Sequence, residues 1–248
     1  MNISDMTNAL RASTMLGKQA NTVTATDPIS KAFAQAGQRV QQQLDVTSAQ
    51  LSSFGKLKSA FADVQGAAKA LSSPKTGATD DDISKAAADF VKAFNSALQT
   101  AKANQAQATS SPELTGARRA ETDLRRVLGT DSSLSSSLKG IGITQQADGS
   151  LALDATKFQA AIKANGTELR ATVAKLGQQG QAMATRELAD TGNVGSALKA
   201  LSSQSTSLKA RQSEQQAALT SFQQLASAPN PLLSASGLAA YTRFSSMF

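Results

Sequence analysis

The chain contains no cysteine and no histidine in its 248 residues. The first absence excludes disulfides, thiol nucleophiles and Cys-ligated zinc. The second removes the imidazole base, so neither a Ser–His nor a Cys–His catalytic arrangement can be built. Lack of cysteine suits an exported protein and a cytosolic one equally. Tryptophan is also absent, tyrosine occurs once, and phenylalanine nine times. Packing therefore falls mostly to Ala and Leu, whose small or unbranched side chains suit helix-on-helix contact. No apolar run approaches the ~20 residues needed to cross a bilayer. The opening "MNISDMTNALRASTMLGKQANTVTATDP" has no apolar core of the kind a Sec signal peptide needs. It is polar and Thr/Asn/Ala-rich, and is expected to stay disordered until it meets a partner.

The net charge of +7 is carried by 25 basic residues scattered among 18 acidic ones. A basic excess can favour nucleic acid or membrane surfaces. Here no Lys/Arg run exceeds two residues and no aromatics are interleaved with them, so a dispersed, solvated charge is the better reading. Neither nucleic acid nor membrane is expected as a partner.

What is present is a long heptad pattern at each end. Asp27-Pro28 reads as a helix start, with Asp capping and Pro in the first helical position. From there Val40, Leu44, Thr47, Leu51, Phe54, Leu57, Phe61, Val64, Ala68 and Leu71 follow steps of four and three. One extra short step, at Phe54–Leu57, reads as a stammer. "SSPKTG" supplies the stop. In the last third, Leu198, Leu201, Ser205, Leu208, Gln212, Gln215, Leu219 and Phe222 alternate steps of three and four without interruption. Polar residues in such a seam weaken it but can set register and partner choice. Beyond it, "APNPLL" breaks the helix. Tyr241, Phe244 and Phe248 in the tail could dock on a partner or fold back.

The middle is different. Asp80, Asp81 and Asp82 open a second helix with the stripe Ile83, Ala87, Phe90, Phe94, Leu98 and Ala101. They lack the alternating ligand spacing of a calcium loop and read as N-cap and dipole partners. A third helix runs from Ser111-Pro112-Glu113 to Gly129. Its Arg118, Arg119, Arg125 and Arg126 could grip an acidic partner, but Glu121 four residues before Arg125 favours a salt-laced surface. A Ser-rich linker, "TDSSLSSSLKG", is then expected. After it Ile141 and Ile143, a D-G turn at Asp148-Gly149, and Leu151 and Leu153 read as a β-hairpin. Asp154 caps a helix carrying Phe158 and Ile162, which Asn165-Gly166 is expected to end. Gly140 and Gly142 lack the third glycine of a dinucleotide loop. Ser, Lys and Asp are abundant, yet no spaced constellation joins them into a catalytic set.

In wording and order these passages resemble the flagellar filament cap protein family, also called hook-associated protein 2. "QQQLDVTSAQLSSFGKLKSAFADVQGAAKAL" looks like that family's first long helix. "AADFVKAFNSAL" resembles its "VxAYNAL"-type helix. "LKGIGITQQADGSLALDATKFQAAIKAN" resembles its "LGI-T-x-x-DG-x-L-x-LD-x-x-K" hairpin and helix, the most specific of the matches. The final heptads resemble the returning C-terminal coil.

The resemblance implies a mainly α protein whose long N- and C-terminal helices pair as a coiled-coil stalk, beside a helical leg domain holding one β-hairpin–helix unit. The corresponding divisions are a disordered export and assembly segment at 1–26, an N-terminal coiled-coil helix at 27–73, a leg domain at 80–180 with its hairpin at 141–153, a C-terminal coiled-coil helix at 181–226, and an irregular tail at 227–248. Val40, Leu44, Leu51, Phe54, Leu57, Phe61, Val64, Leu198, Leu201, Leu208, Leu219 and Phe222 would bury the seam. No enzyme activity, cofactor or metal is implied. The implied partners are further copies of the chain in a ring, flagellin, the hook-associated junction proteins and the flagellar type III export apparatus. The implied location is the extracellular filament tip, reached without a cleaved signal.

Two departures limit this. The family's outer plate domains lie between the first long helix and the "AYNAL"-type helix, where this chain has only "SSPKTGATDDD". The usual Gly-Ser-Gly-Leu-Asp passage near the N-terminus is also missing. The competing reading is a helical type III-secreted or export-associated scaffold without capping activity. Type III translocators share the Ala/Ser/Gln-rich composition but usually add a hydrophobic membrane hairpin, which this chain lacks.

Overall fold

The structure, a computed structural model, describes residues 28–74, 77–107, 111–129 and 131–226. In chain order these form α1 (Pro28–Ser72), α2 (Asp80–Gln107), α3 (Ser111–Gly129), α4 (Ser132–Gly140), β1 (Ile143–Gln145), β2 (Leu151–Leu153), α5 (Ala155–Leu188) and α6 (Asn193–Ala226). The protein is mainly α, with one small antiparallel hairpin in which Ile143 faces Leu153 and Gln145 faces Leu151.

The helix starts are set by side chains that satisfy otherwise orphaned amides. At α2 the N-cap residue is Thr79, while Asp80, Asp81 and Asp82 fill the first turn as dipole partners and Asp82 completes the cap. Asp82 Oδ2 accepts from the Thr79 amide at 2.8 Å and Thr79 Oγ1 accepts from the Asp82 amide at 3.2 Å, a reciprocal box. Asp80 is turned to Arg170 of α5 at 2.8 Å. The expected Ser-rich linker is instead helix α4. Asp131 Oδ1 accepts from the amides of Ser133 and Leu134, both at 3.0 Å, and Leu134 and Leu138, one turn apart, are buried. The cap and two buried leucines at this spacing accompany a helix in a Ser-rich run. Ile141 closes α4, its amide bonded back to Ser137 and Leu138, so it stands outside the hairpin strand expected for it.

In the hairpin the Gly149 amide returns to the Gln146 carbonyl at 2.9 Å with Gly149 at φ 90°, a conformation that favours glycine. Asp154 caps α5 through the Lys157 amide. The expected stop at Asn165-Gly166 is a break rather than an end. Asn165 leaves helical geometry (φ −153°, ψ 71°) and its side chain caps the continuation through Glu168, after which α5 runs on to Leu188. The C-terminal helix expected over 181–226 is thus divided at the corner between α5 and α6.

The chain forms two compact units. Unit A comprises residues 1–45 and 207–248, of which 28–45 and 207–226 are described; unit B comprises 46–206. Unit B holds the main core. Phe54, Phe61, Phe90, Phe94 and Phe158 are each under 2% or at 2% exposure there, with Leu57, Leu71, Leu98, Leu124, Leu138 and Leu169 filling between them. At the crossing of α5 with α1, Gly177 lets the backbones touch: a Cβ there would lie 2.5 Å from the Ala68 carbonyl oxygen and 2.6 Å from the Ser72 amide.

Candidate assembly interface

Five of the seam residues named from the heptads lie in unit A, where the start of α1 runs against the end of α6. Val40 and Leu44 bury against Leu208. Phe33 and Ala36 bury against Ala218 and Leu219. The Phe33 and Phe222 rings lie 6.3 Å apart, tilted by 35°, within the range where aromatic pairs attract. Early residues of α1 thus meet late residues of α6, so the helices are antiparallel. Between the two apolar clusters sits a polar layer. Gln212 Nε2 donates to Gln41 Oε1 at 2.9 Å, while Gln215 is 8% exposed with neither amide atom hydrogen-bonded. A buried amide without partners costs roughly 1–3 kcal/mol.

The other seven seam residues lie in unit B. Phe54, Leu57, Phe61, Val64 and Leu201 are buried in its core, and Leu51 and Leu198 pack partly buried against it. Here the stripe of α1 is wider than a two-helix seam needs. Ala60 joins Phe61, and Ala68 and Leu71 continue the buried face, because α1 meets several helices. The Phe54–Leu57 short step falls where this broad burial begins. Phe33 and Ala36 were missed by the sequence reading, although they extend the same three-four spacing upstream of Val40.

The hairpin unit is held against α2 and α3 by named polar contacts. Asn95 of α2 makes two hydrogen bonds to the Leu151 backbone (2.8 Å each), donating to its carbonyl and accepting from its amide. Lys102 Nζ donates to the Asp148 carbonyl at 2.8 Å, and Gln145 Nε2 to the Arg125 carbonyl at 3.0 Å. The Asp148 carboxyl is held below its ordinary pKa, chiefly by the hydroxyl and amide of Ser150, with Lys102 and Arg125 adding a smaller attraction. Asp131 lies well below the usual carboxylate range, first through Lys175 Nζ at 2.6 Å and then through Ser133 and the Leu134 amide. Of the four arginines of α3, Arg125 pairs with Glu121 at 2.9 Å; Arg118, Arg119 and Arg126 face solvent.

One buried carboxyl group went unnoticed in the sequence. Glu187 is 0% exposed, although Val173, Leu176, Gly180, Met183 and Glu187 step by three and four and place it on the buried stripe of α5. Among the described residues no group of three His, Cys, Asp or Glu could hold a metal ion, and no helix is long and apolar enough to cross a membrane. The arrangement offers packing faces and hydrogen-bonded joints.

A profile of the flagellar hook-associated protein 2 C-terminus matches residues 77–247. The chain belongs to the flagellar hook-associated protein 2 family. No curated protein and no solved structure matches it. The matched stretch takes in α2 with Asn95, the docked hairpin and the whole of α5 and α6, whereas α1 precedes it. Hook-associated protein 2 is a structural component of flagella. The polar segment 1–26 and the tail with Tyr241, Phe244 and Phe248 lie outside the described residues.

Proposed function

We propose that this hook-associated protein 2 chain is a non-enzymatic axial subunit of a flagellar filament, assembling with copies of itself into a ring at the tip. The match over residues 77–247 carries this reading. It is supported by the antiparallel pairing of the start of α1 with the end of α6, a two-helix packing among the described residues of unit A that suits insertion among other helical subunits. The twelve seam residues serve it in two ways: Val40, Leu44, Leu208, Leu219 and Phe222 zip the terminal helices, and the remaining seven anchor both helices in unit B. Flagellin and the junction proteins would meet the outer polar faces. The chain would leave the cell through the flagellar type III export apparatus, with no membrane, nucleic acid or cofactor involved.

The link between α1 and α2 favours a second reading. Residues 73–79 leave no room for an outer plate between these helices, so the chain would act as a scaffold or junction subunit that supports flagellin assembly without a lid. Immuno-electron microscopy of filaments from the host tests both. Label at filament tips, together with short or absent filaments in a deletion strain, supports capping. Label along the filament base or at junctions, with filaments still elongating, supports the scaffold. Retention inside cells irrespective of a working flagellar secretion apparatus would overturn both.

A further inference from the structure

We propose that the corner between α5 and α6 is a proton-controlled joint, in which a neutral Glu187 carboxyl locks the start of α6 onto α3 and α5, and loss of its proton loosens that corner. The geometry is unusual for a helical scaffold. Glu187 is wholly buried in the last turn of α5. Its Oε1 accepts from Asn193 Nδ2 at 2.8 Å, and the same Asn193 nitrogen lies 3.4 Å from Asp123 Oδ2 of α3. The amide thus bridges two carboxyl groups from different helices. The second oxygen, Oε2, is buried with no hydrogen-bond partner.

An ionised carboxylate with a bare buried oxygen beside a second carboxylate is strongly disfavoured, whereas a protonated one can donate to its neighbour. The charged groups that face Glu187 are Asp123 on α3 and Arg186 on its own helix; α6 contributes the neutral Asn193. Arg186 reaches Asp123 at 3.6 Å from a largely exposed position, so its charge goes to Asp123 and is shared with water. Burial first, and the Asp123 carboxylate second, raise the Glu187 pKa from 4.5 to about 7. The corner around it is tight: a Cβ on Gly192 would lie 2.0 Å from the Arg186 carbonyl oxygen.

The folded state holds a proton that the unfolded chain releases at lower pH. The contribution of Glu187 to stability is therefore complete below pH 4.5 and is lost as pH rises through about 7. Within that window the unfolding equilibrium constant climbs by up to about tenfold per pH unit for this one proton.

The test uses the full chain. Chemical unfolding is followed across the window, and hydrogen exchange is measured at amides 189–197. The expected result is a loss of stability with rising pH and, once the base-catalysed intrinsic rate is divided out, a loss of exchange protection confined to that corner. Glu187→Gln keeps the shape of the neutral form and should flatten both dependences. Asp123→Asn removes the opposing charge and should move the transition to lower pH, which keeps the idea testable if the glutamine variant folds poorly. A carbon-13 titration of the Glu187 carboxyl gives the direct readout. An ordinary carboxylate midpoint, or a wild-type corner whose protection factors do not change with pH while Asp123→Asn changes nothing, overturns the proposal.

Discussion

Asn95 and Leu151 face each other as a side chain and a strand edge, joined by one hydrogen bond in each direction. The amide of Asn95 imitates a neighbouring strand, satisfying the backbone groups of β2 that point away from β1. This is what keeps a two-stranded hairpin, marginal by itself, fixed on a helical body. Asn95→Ala is expected to destabilise unit B by roughly 1–3 kcal/mol, since it strands a partly buried amide and carbonyl. Asn95→Asp should be nearly as harmful, because it can accept but not donate. Urea unfolding with tolerance of both substitutions would show that the hairpin docks by apolar contact alone.

The close crossing of α5 and α1 gives a second expectation. Gly177→Ala places a methyl 2.5 Å from the Ala68 carbonyl oxygen, and overpacking of this kind costs about 1–3 kcal/mol. Gly166, with nothing within 4 Å of a would-be Cβ, is the control. A thermal melt should separate the two alanine variants clearly.

In unit A the polar layer limits stability. Gln215→Leu replaces a buried amide with unmet hydrogen-bonding capacity by an apolar side chain of similar length, and is expected to stabilise the helix pair by about 1–2 kcal/mol. Gln41→Leu breaks a made bond and orphans Gln212, so it should do the reverse. Circular dichroism melts of the full chain decide the sign; destabilisation by Gln215→Leu would mean its amide has a partner in solution.

The aromatic contact across that pair can be weighed directly. A double-mutant cycle on Phe33→Leu and Phe222→Leu should return a coupling of about 0.5–1.5 kcal/mol, the usual worth of such a ring pair. Zero coupling would place the rings apart in solution.

Acid should loosen α4. The Asp131 carboxyl is held below its ordinary value of 3.8 in the folded state, chiefly by Lys175. Its contribution is thus complete above that value and fades as pH falls through the lowered one. Asp131→Asn retains the cap but not the ion pair, so exchange at the first amides of α4 should become less dependent on pH below 4 in the variant.

Much of this architecture could be read from residue spacing, because burial on one helical face leaves a period of three and four that survives without context. The stripes of α1, α2 and α6 are of that kind, as are the Asp-Gly turn and the Asp154 cap. Other features depend on partners distant in sequence. Nothing local marks Asn95 as a strand mimic, since its meaning lies 56 residues on. Helix α4 was hidden by serines, whose preference for turns and caps masked two leucines at helical spacing. The seam's division between units A and B was likewise invisible: a leucine in a two-helix pair and one in a multi-helix core recur with the same period. Glu187 is a further case, since a charged letter gives no local sign that it lies on the buried stripe of α5.

Gln41 and Gln212, bonded across unit A, are separated by 171 positions along the chain. Such closure of a long loop is entropically late and kinetically slow. If the polypeptide is delivered to its destination with its first residues leading, the start of α1 must wait, its apolar stripe unclaimed, until residues 208–222 have arrived. Maturation of unit A would then report the arrival of α6, and a chain cut before that helix would leave the start of α1 uncovered.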